Sequence, residues 1–433
     1  MIKALQVSVV IILTSLFLFP FFFSFLPSVN TKMFLAVLGL IAFSFDCING
    51  YTQPFNKSLA KISSWALGVS FCSFLSMTLN GTPDNSYLGY IVSMAVWLFA
   101  AYFCVSLMRL THGKVTVEII ACYLVGVALL QCTLALLINH FPFIKNLVDA
   151  SITGEKYMGV GVKGRLYGIG CALDVGGGRL GAILILVAYL ILLAMKRQSR
   201  WNFVALLGVF IYILVIGNMI GRTASVGGAL ALAYLAWSIV KSPNYRSVSF
   251  GSFLPLTILV IGCGILLCVG LYQVSPEAQK LLRFGFEGFF NYFEYGKFET
   301  SSTNMLSEGM IFPDNLWTWI FGDGYMASGL NDPYYTGPSD YGFYMNTDAG
   351  YSRFIFYFGL TGLSVFILFF VAVCKECMAR IKDHKLLFFV LLTMNLCVWV
   401  KVSTDLFLVF APFLCLNTQD IRCEMNNETS KEV

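Results

Sequence analysis

An all-α, polytopic membrane helix bundle of about twelve spans is the fold class this sequence predicts. Three observations carry the prediction. Of 433 residues, 58% are hydrophobic and only 12% are charged, with a mean hydropathy of +0.77, whereas a soluble domain carries about 25% charged residues. The apolar residues fall in runs of the length, about 20 residues, that crosses a ~30 Å hydrocarbon core. The lysines and arginines are also sorted between alternate connections. This composition excludes a disordered chain, a disulfide-stapled secreted domain and a single-pass receptor with a large soluble head, and the net charge of +5 is too small to argue for nucleic acid.

The runs predict spans near 5–26, 33–50, 63–80, 88–108 and 117–139, then 179–195, 201–219, 223–240 and 251–273, then 352–374. The last apolar stretch, 386–418, is interrupted at Lys401, Ser403, Thr404 and Asp405. One helix would bury Lys401 and Asp405 in lipid at considerable cost, so two short helices with these residues at the outer surface are expected. The chain thus divides into spans 1–5 (1–139), an outer glycine/arginine loop (140–178), spans 6–9 (179–273), a large outer loop (274–350), spans 10–12 (351–418) and a tail (419–433).

With both termini inside, 16 of the 28 basic residues lie in inner segments, as the positive-inside rule requires. Nine of the outer twelve are gathered near 140–179 and in 274–353. The N-terminal apolar run lacks a clean small-x-small cleavage site before Pro27 and reads as a retained anchor. The tail Asn426–Val433 is polar and reads as disordered. Cys374 and Cys377 form a C-x-x-C without a second pair, and His112, His140 and His384 are scattered. A structural zinc site wants four ligands, so no metal or cofactor is expected.

Two outer segments carry the chemistry. In 140–179, Gly159–Gly164 matches G-x-G-x-x-G as a string, but the strand before, the helix after and the cytosolic address of a dinucleotide site are missing. What remains is a glycine-dense loop with Lys163, Arg165 and Arg179. Exposed amides beside guanidinium groups suit phosphate; the same composition also suits a flexible connector. The 77 residues of 274–350 hold ten acids against Lys280, Arg283 and Lys297, together with Trp317, Trp319 and seven tyrosines that include Tyr325. A small helical cap is expected, with Leu281–Tyr295 and Trp317–Phe321 as its apolar faces. Aromatic rings and carboxylates build sugar clefts, and aromatic rings also build interfacial belts. Arg222 lies in a very short outer turn, and Arg353 opens the following helix. Arg165, Arg179, Arg222, Arg283 and Arg353 thus come from separate outer segments, and a bundle can converge them on one anion. Guanidinium groups fit phosphate bidentately and stay charged, so a lipid diphosphate beneath a sugar-binding cap is the inferred ligand.

Three strings, in this order and topology, resemble the Wzy-type oligosaccharide repeat-unit polymerases of O-antigen and capsule synthesis, a family related to the O-antigen ligases. They are Gly164-Arg165-Leu-Tyr-Gly168 running through Asp174 to Gly176–Gly178; Ile220-Gly-Arg222-Thr223; and Phe321-Gly-Asp-Gly-Tyr325 with Thr347-Asp348-Ala-Gly-Tyr351-Ser-Arg353 and Phe358-Gly359-Leu-Thr-Gly362. Arg165 is followed, after ten residues, by Gly176, as in an arginine motif of some members.

The resemblance implies a GT-C-like, metal-independent, inverting glycosyltransferase. It would join undecaprenyl-diphosphate-linked oligosaccharide units outside the bacterial inner membrane, with a chain-length regulator as a possible partner. Arg165, Arg222 and Arg353 are then the first candidates for the diphosphate, and Arg179 and Arg283 the second. Trp317, Trp319, Tyr325 and Tyr351 are the sugar-binding candidates. Asp348 is the first candidate base, at the loop's return to the membrane, with Asp174 and Glu308 as alternatives; Asp348 also suits a helix cap. The ligases typically use a histidine in the large loop, and 274–350 has none. A lipid-linked glycan flippase is the alternative of another class. It would be expected to show related halves and short outer loops, which this chain lacks.

Overall fold

The computed structural model describes residues 2–50, 57–153, 164–241, 253–327, 342–417 and 419–421. The structure is 80% helical. Ten helices among the described residues are long and apolar enough to cross a membrane, and the chain is a multi-pass membrane protein.

Helix α1 (Ile2–Leu18) is shorter than its predicted span of 5–26. Pro20 lacks the N–H that would continue the helix, and the chain turns instead into a small antiparallel sheet. Strand β1 (Phe22–Phe23) lies between β2 (Leu26–Asn30) and β3 (Ile152–Thr153). Asn30 then caps α2 (Thr31–Ile48), its side chain accepting from Met33 N–H at 3.0 Å. Helices α3 (Lys57–Asn80), α4 (Tyr90–His112) and α5 (Val117–His140) follow. Helix α6 (Pro142–Ser151) lies within the predicted outer loop.

Helix α7 (Leu173–Lys196) begins six residues before the span predicted at 179, so Gly176–Gly178 and Arg179 are helical rather than part of a loop. The glycines serve close packing. A Cβ on Gly177 would overlap Thr223 Oγ1 and crowd the Gly221 carbonyl at 2.5 Å, and one on Gly178 would lie 3.3 Å from Val398. Helices α8 (Arg200–Ile220) and α9 (Thr223–Lys241) pack on α7, which is buried without interruption from Gly176 to Leu192. Where α7 and α9 cross, a side chain on Gly227 would overlap the Gly181 backbone. Gly227→Val is expected to cost about 1–3 kcal/mol by overpacking, read as a lower unfolding temperature in detergent.

Helix α10 (Leu254–Val274) is peripheral and has no buried residue. In the described part of the predicted large loop four short helices, together called the cap, follow: α11 (Pro276–Gly285), α12 (Glu287–Tyr295), α13 (Ser301–Gly309) and α14 (Leu316–Phe321). The Leu281–Tyr295 face is divided at Phe286, with Leu281 and Leu282 buried but Phe289, Tyr292, Phe293 and Tyr295 exposed.

Helix α15 (Gly350–Arg380) kinks at Phe358-Gly359, where Gly359 has φ +67°. The freed carbonyls of Phe356 and Tyr357 accept from Asp323 and Gly324 N–H at 2.6 and 3.1 Å, which docks the end of the cap onto the helix. Helices α16 (Lys385–Lys401) and α17 (Phe407–Leu414) are the two short segments expected from the break at Lys401–Asp405. Among the described residues ten helices therefore meet the length for a span, against about twelve predicted; α16 reaches it together with the 3-10 turn Lys382–His384 that leads into it, whereas α1 has 17 residues and α17 eight.

Contacts sort the connections into two ends. At one end, the cap and the segments 19–30, 81–89, 164–172, 221–222 and 402–406 meet. At the other, Arg109 binds Asp420 at 2.8 Å, Tyr189 bonds His384 at 3.3 Å, and Lys3 lies in electrostatic reach of His112. Lys3 and Asp420 therefore share the end away from the cap. The string Gly159–Lys163 and the tail 422–433 lie outside the described residues.

Candidate functional site

The cap end of the bundle gathers charged side chains from separate segments. Arg165 precedes α7, and Arg222 occupies the turn between α8 and α9. Their guanidinium groups lie 4.7 and 4.6 Å from the centroid of one ring, Phe284 of α11. Arg222 also binds Glu287 of α12 and donates to Ser301 Oγ at 3.0 Å. Two cap helices are thereby tied to the α8–α9 turn. Burial lowers the pKa of Arg165 from the usual arginine value, with Asp174 opposing and Arg222 adding to the shift. A desolvated guanidinium of this kind is poised to gain from an anion.

Asp174, in the first turn of α7, is in electrostatic reach of Lys401, Arg165, Asp348 and Arg222. The α8–α9 turn is held there because Thr223 Oγ1 donates to the Asp174 carbonyl at 2.9 Å and the glycines of α7 let it approach. Asp348 accepts from Lys401 Nζ at 2.5 Å. It does not cap α15: the N-cap is Ala349, without a side-chain cap bond.

Arg353, one turn into α15, donates to Ser403 Oγ at 2.6 Å and to the Met326 carbonyl at 2.9 Å, and lies 4.3 Å from the Phe343 ring centroid. Its Nε is buried without a hydrogen-bond partner among the described residues. Asp348, Asp84 and Tyr87 are in its electrostatic reach. Asp84 accepts from Met326 and Ala327 N–H at 2.7 and 3.0 Å, pinning the cap to the α3–α4 turn.

Arg179 sits deeper. It donates to the Leu18 carbonyl at 2.9 Å and faces the rings of Phe19 and Trp97, each at 5.9 Å. Lys32 lies over Trp97 at 4.2 Å, and both cations are in reach of Asp405. Burial raises the pKa of the Asp405 carboxyl above the usual carboxylate value, against the opposing effect of its bond to Phe407 N–H and of these cations. Tyr90 also donates to it, at 3.4 Å.

The structure thus sets Arg165 and Arg222 on one ring, with Asp174 in electrostatic reach of both and of Asp348, Arg353 in electrostatic reach of Asp348, and Arg179 deeper in the bundle. Arg283 is separate: it pairs with Glu294 and packs on Phe290 with 40% of its side chain exposed. Arg283→Ala is therefore expected to change stability little, since an exposed ion pair contributes ~1 kcal/mol at most; thermal unfolding of the purified variant checks this. Glu308 lies on α13, and its side chain is outside the described residues.

Among the aromatic candidates, Tyr325 stacks on Tyr344 at 5.3 Å, and Tyr344 donates to Asp323 at 3.1 Å, close to the Arg353 contact at Met326. Trp317 is half exposed and donates to Asn80 at 3.1 Å. Trp319 stacks on Phe312 and donates to the Pro313 carbonyl at 2.9 Å. Tyr351 donates to the Leu396 carbonyl at 2.9 Å and meets Trp399 edge-on, so it joins α15 to α16.

Sequence reasoning did not place Lys401, Lys32, Asp405, Asp84 or Phe284 at the site. Lys401 and Asp405 carried a signal, since they interrupt an apolar stretch. No family model, curated protein or solved structure matches the chain.

Proposed function

We propose that this protein is a bacterial oligosaccharide repeat-unit polymerase of the inner membrane. In this reading the cap end faces outward and both termini face the cytoplasm. The substrates are undecaprenyl-diphosphate-linked glycans, and the product is a lengthened O-antigen, capsular or exopolysaccharide chain.

The observation that carries the reading is the pairing of Arg165 and Arg222 on Phe284 of the cap, with Asp174 in electrostatic reach of both and of the Lys401–Asp348 pair. The acceptor hydroxyl of one unit attacks the anomeric carbon of the growing glycan, and the bond from that carbon to the diphosphate oxygen breaks. Asp348 takes the hydroxyl proton, and undecaprenyl diphosphate leaves carrying the electron pair. Arg165 and Arg222 stabilise that charge, because donors fixed before the reaction cost no reorganisation when charge develops. Their orientation comes from Phe284 and, for Arg222, from Glu287 and Ser301. Arg353 braces the cap against the α16–α17 turn, and Tyr325 and Tyr344 offer stacked rings to a sugar face beside it.

Proteoliposomes test the class of activity. A lipid-linked repeat unit supplied to the cap side is expected to lengthen without crossing the bilayer. Movement across the bilayer without lengthening would overturn the proposal in favour of a flippase.

A further inference from the structure

The Lys401–Asp348 pair has a consequence for how the site turns on. Asp348 sits where the cap returns to the bundle, and the sole hydrogen-bond partner of its carboxylate among the described residues is Lys401 Nζ, at 2.5 Å. While it is bonded to the ammonium, that carboxylate oxygen is not open to a substrate hydroxyl. Lys401 is the last residue of α16, and its side chain is 14% exposed against 38% for Asp348. The helix carboxyl end favours a cation there. Lys401 also lies in electrostatic reach of Asp174, as do Arg165 and Arg222. Unlike those arginines, which are held by Phe284, it is a point charge on a flexible four-carbon stem.

We infer that Lys401 is a further phosphate ligand of this site and that Asp348 competes with the diphosphate for it. Diphosphate bound at Arg165 and Arg222 draws Lys401 away, which adds a third cation to the leaving group and frees the Asp348 carboxylate to accept the proton. Substrate thus arms its own base. An empty site keeps the pair closed, so water is not activated against a glycan lying in the cap. This inference rests on the reading of the site as a lipid-diphosphate glycosyltransferase.

The test is a binding cycle on the full-length protein in nanodiscs, which needs no turnover. The probes are undecaprenyl diphosphate and inorganic pyrophosphate. Asp348→Asn is expected to tighten binding about tenfold, equivalent to roughly 1.4 kcal/mol, because Lys401 loses its competitor. Lys401→Met is expected to weaken binding by a similar factor, and Lys401→Arg to retain most of it. In the double variant, Asp348→Asn should no longer tighten binding.

The cycle with both probes assigns recognition to the phosphates alone; with the lipid probe only, it adds the polyprenyl chain. Tightening by Asp348→Asn that is equal with and without Lys401 would reduce the effect to general repulsion and overturn the inference. Unchanged affinity in both single variants, at unchanged thermal stability, would mark a purely structural tie and overturn it as well, as would failure of the wild type to bind either probe. A protein that shows the cycle yet makes no polymer would retain the inference and lose the polymerase. A polymerase without the cycle would do the reverse.

Discussion

Arg222→Ala is expected to lower the rate of glycan transfer by about 100-fold or more, the scale on which loss of one preorganised donor acts on a developing anion. Arg222 carries two tasks. Its guanidinium lies on Phe284 beside that of Arg165, and it holds α12 and α13 through Glu287 and Ser301. Removing it loosens the cap and, at the proposed leaving-group site, deletes a charge at once. The two contributions separate with Arg222→Lys, which keeps the charge but loses the planar fork and should retain a small part of the activity. Glu287→Gln tests the cap tie alone and should cost much less. Arg165→Ala is expected to match Arg222→Ala in size, since it shares the ring and is already desolvated. The initial rate of repeat-unit consumption, beside thermal unfolding of each variant, measures all four. An Arg222→Ala enzyme with an unchanged rate would remove it from the leaving-group site.

Asp348→Asn is expected to reduce transfer by about 10²–10⁴, the range of a positioned general base, while its affinity for the diphosphate rises. Such opposite movement of turnover and binding is hard to produce by damage to the fold, which lowers both. The geometry behind it is local. Asp348 precedes α15 by two residues, the next turn of that helix is fixed by Arg353 to Ser403 and Met326, and the facing Lys401 ends α16. Asp348→Glu should restore part of the rate, because the carboxylate is kept on a longer stem. If Asp348→Asn turned over normally, Asp174 would be the next base to examine, as it is in electrostatic reach of the same cations.

Much of the bundle is legible in the sequence because hydrophobic length is a local property. The break at Lys401–Asp405 follows from the cost of placing both charges in lipid, and the structure has α16 and α17 on either side of it. The start of α7 is not legible. Gly176–Gly178 read as a loop, because a glycine inside a helix costs about 1 kcal/mol. Their reason lies in the α8–α9 turn, some 45 residues away in sequence, which must come close enough for Thr223 to reach the Asp174 carbonyl. The end of α1 had its own local signal in Pro20, outweighed by the apolar run through Phe25.

The candidate site divides in the same way. Arginines at the ends of spans can be found by inspection, and Arg165, Arg222 and Arg353 lie where the cap meets the bundle. Arg283 has the same local signature, yet the turn of α11 directs it to Glu294. The partner of Asp348 lies 53 residues along the chain, and only the packing of α15 on α16 brings the two together. Pairings of this kind depend on tertiary geometry, so no reading of residue types alone recovers them.

The most direct measurement mixes purified protein with an undecaprenyl-diphosphate-linked repeat unit and separates the products by size, for the wild type and for Arg165→Ala, Arg222→Ala and Arg283→Ala. A ladder of glycan lengths from the wild type and Arg283→Ala, and none from Arg165→Ala or Arg222→Ala, is the predicted result. A ladder that persists in Arg165→Ala and Arg222→Ala, or intact substrate from the wild type with a repeat unit its own host makes, would contradict it.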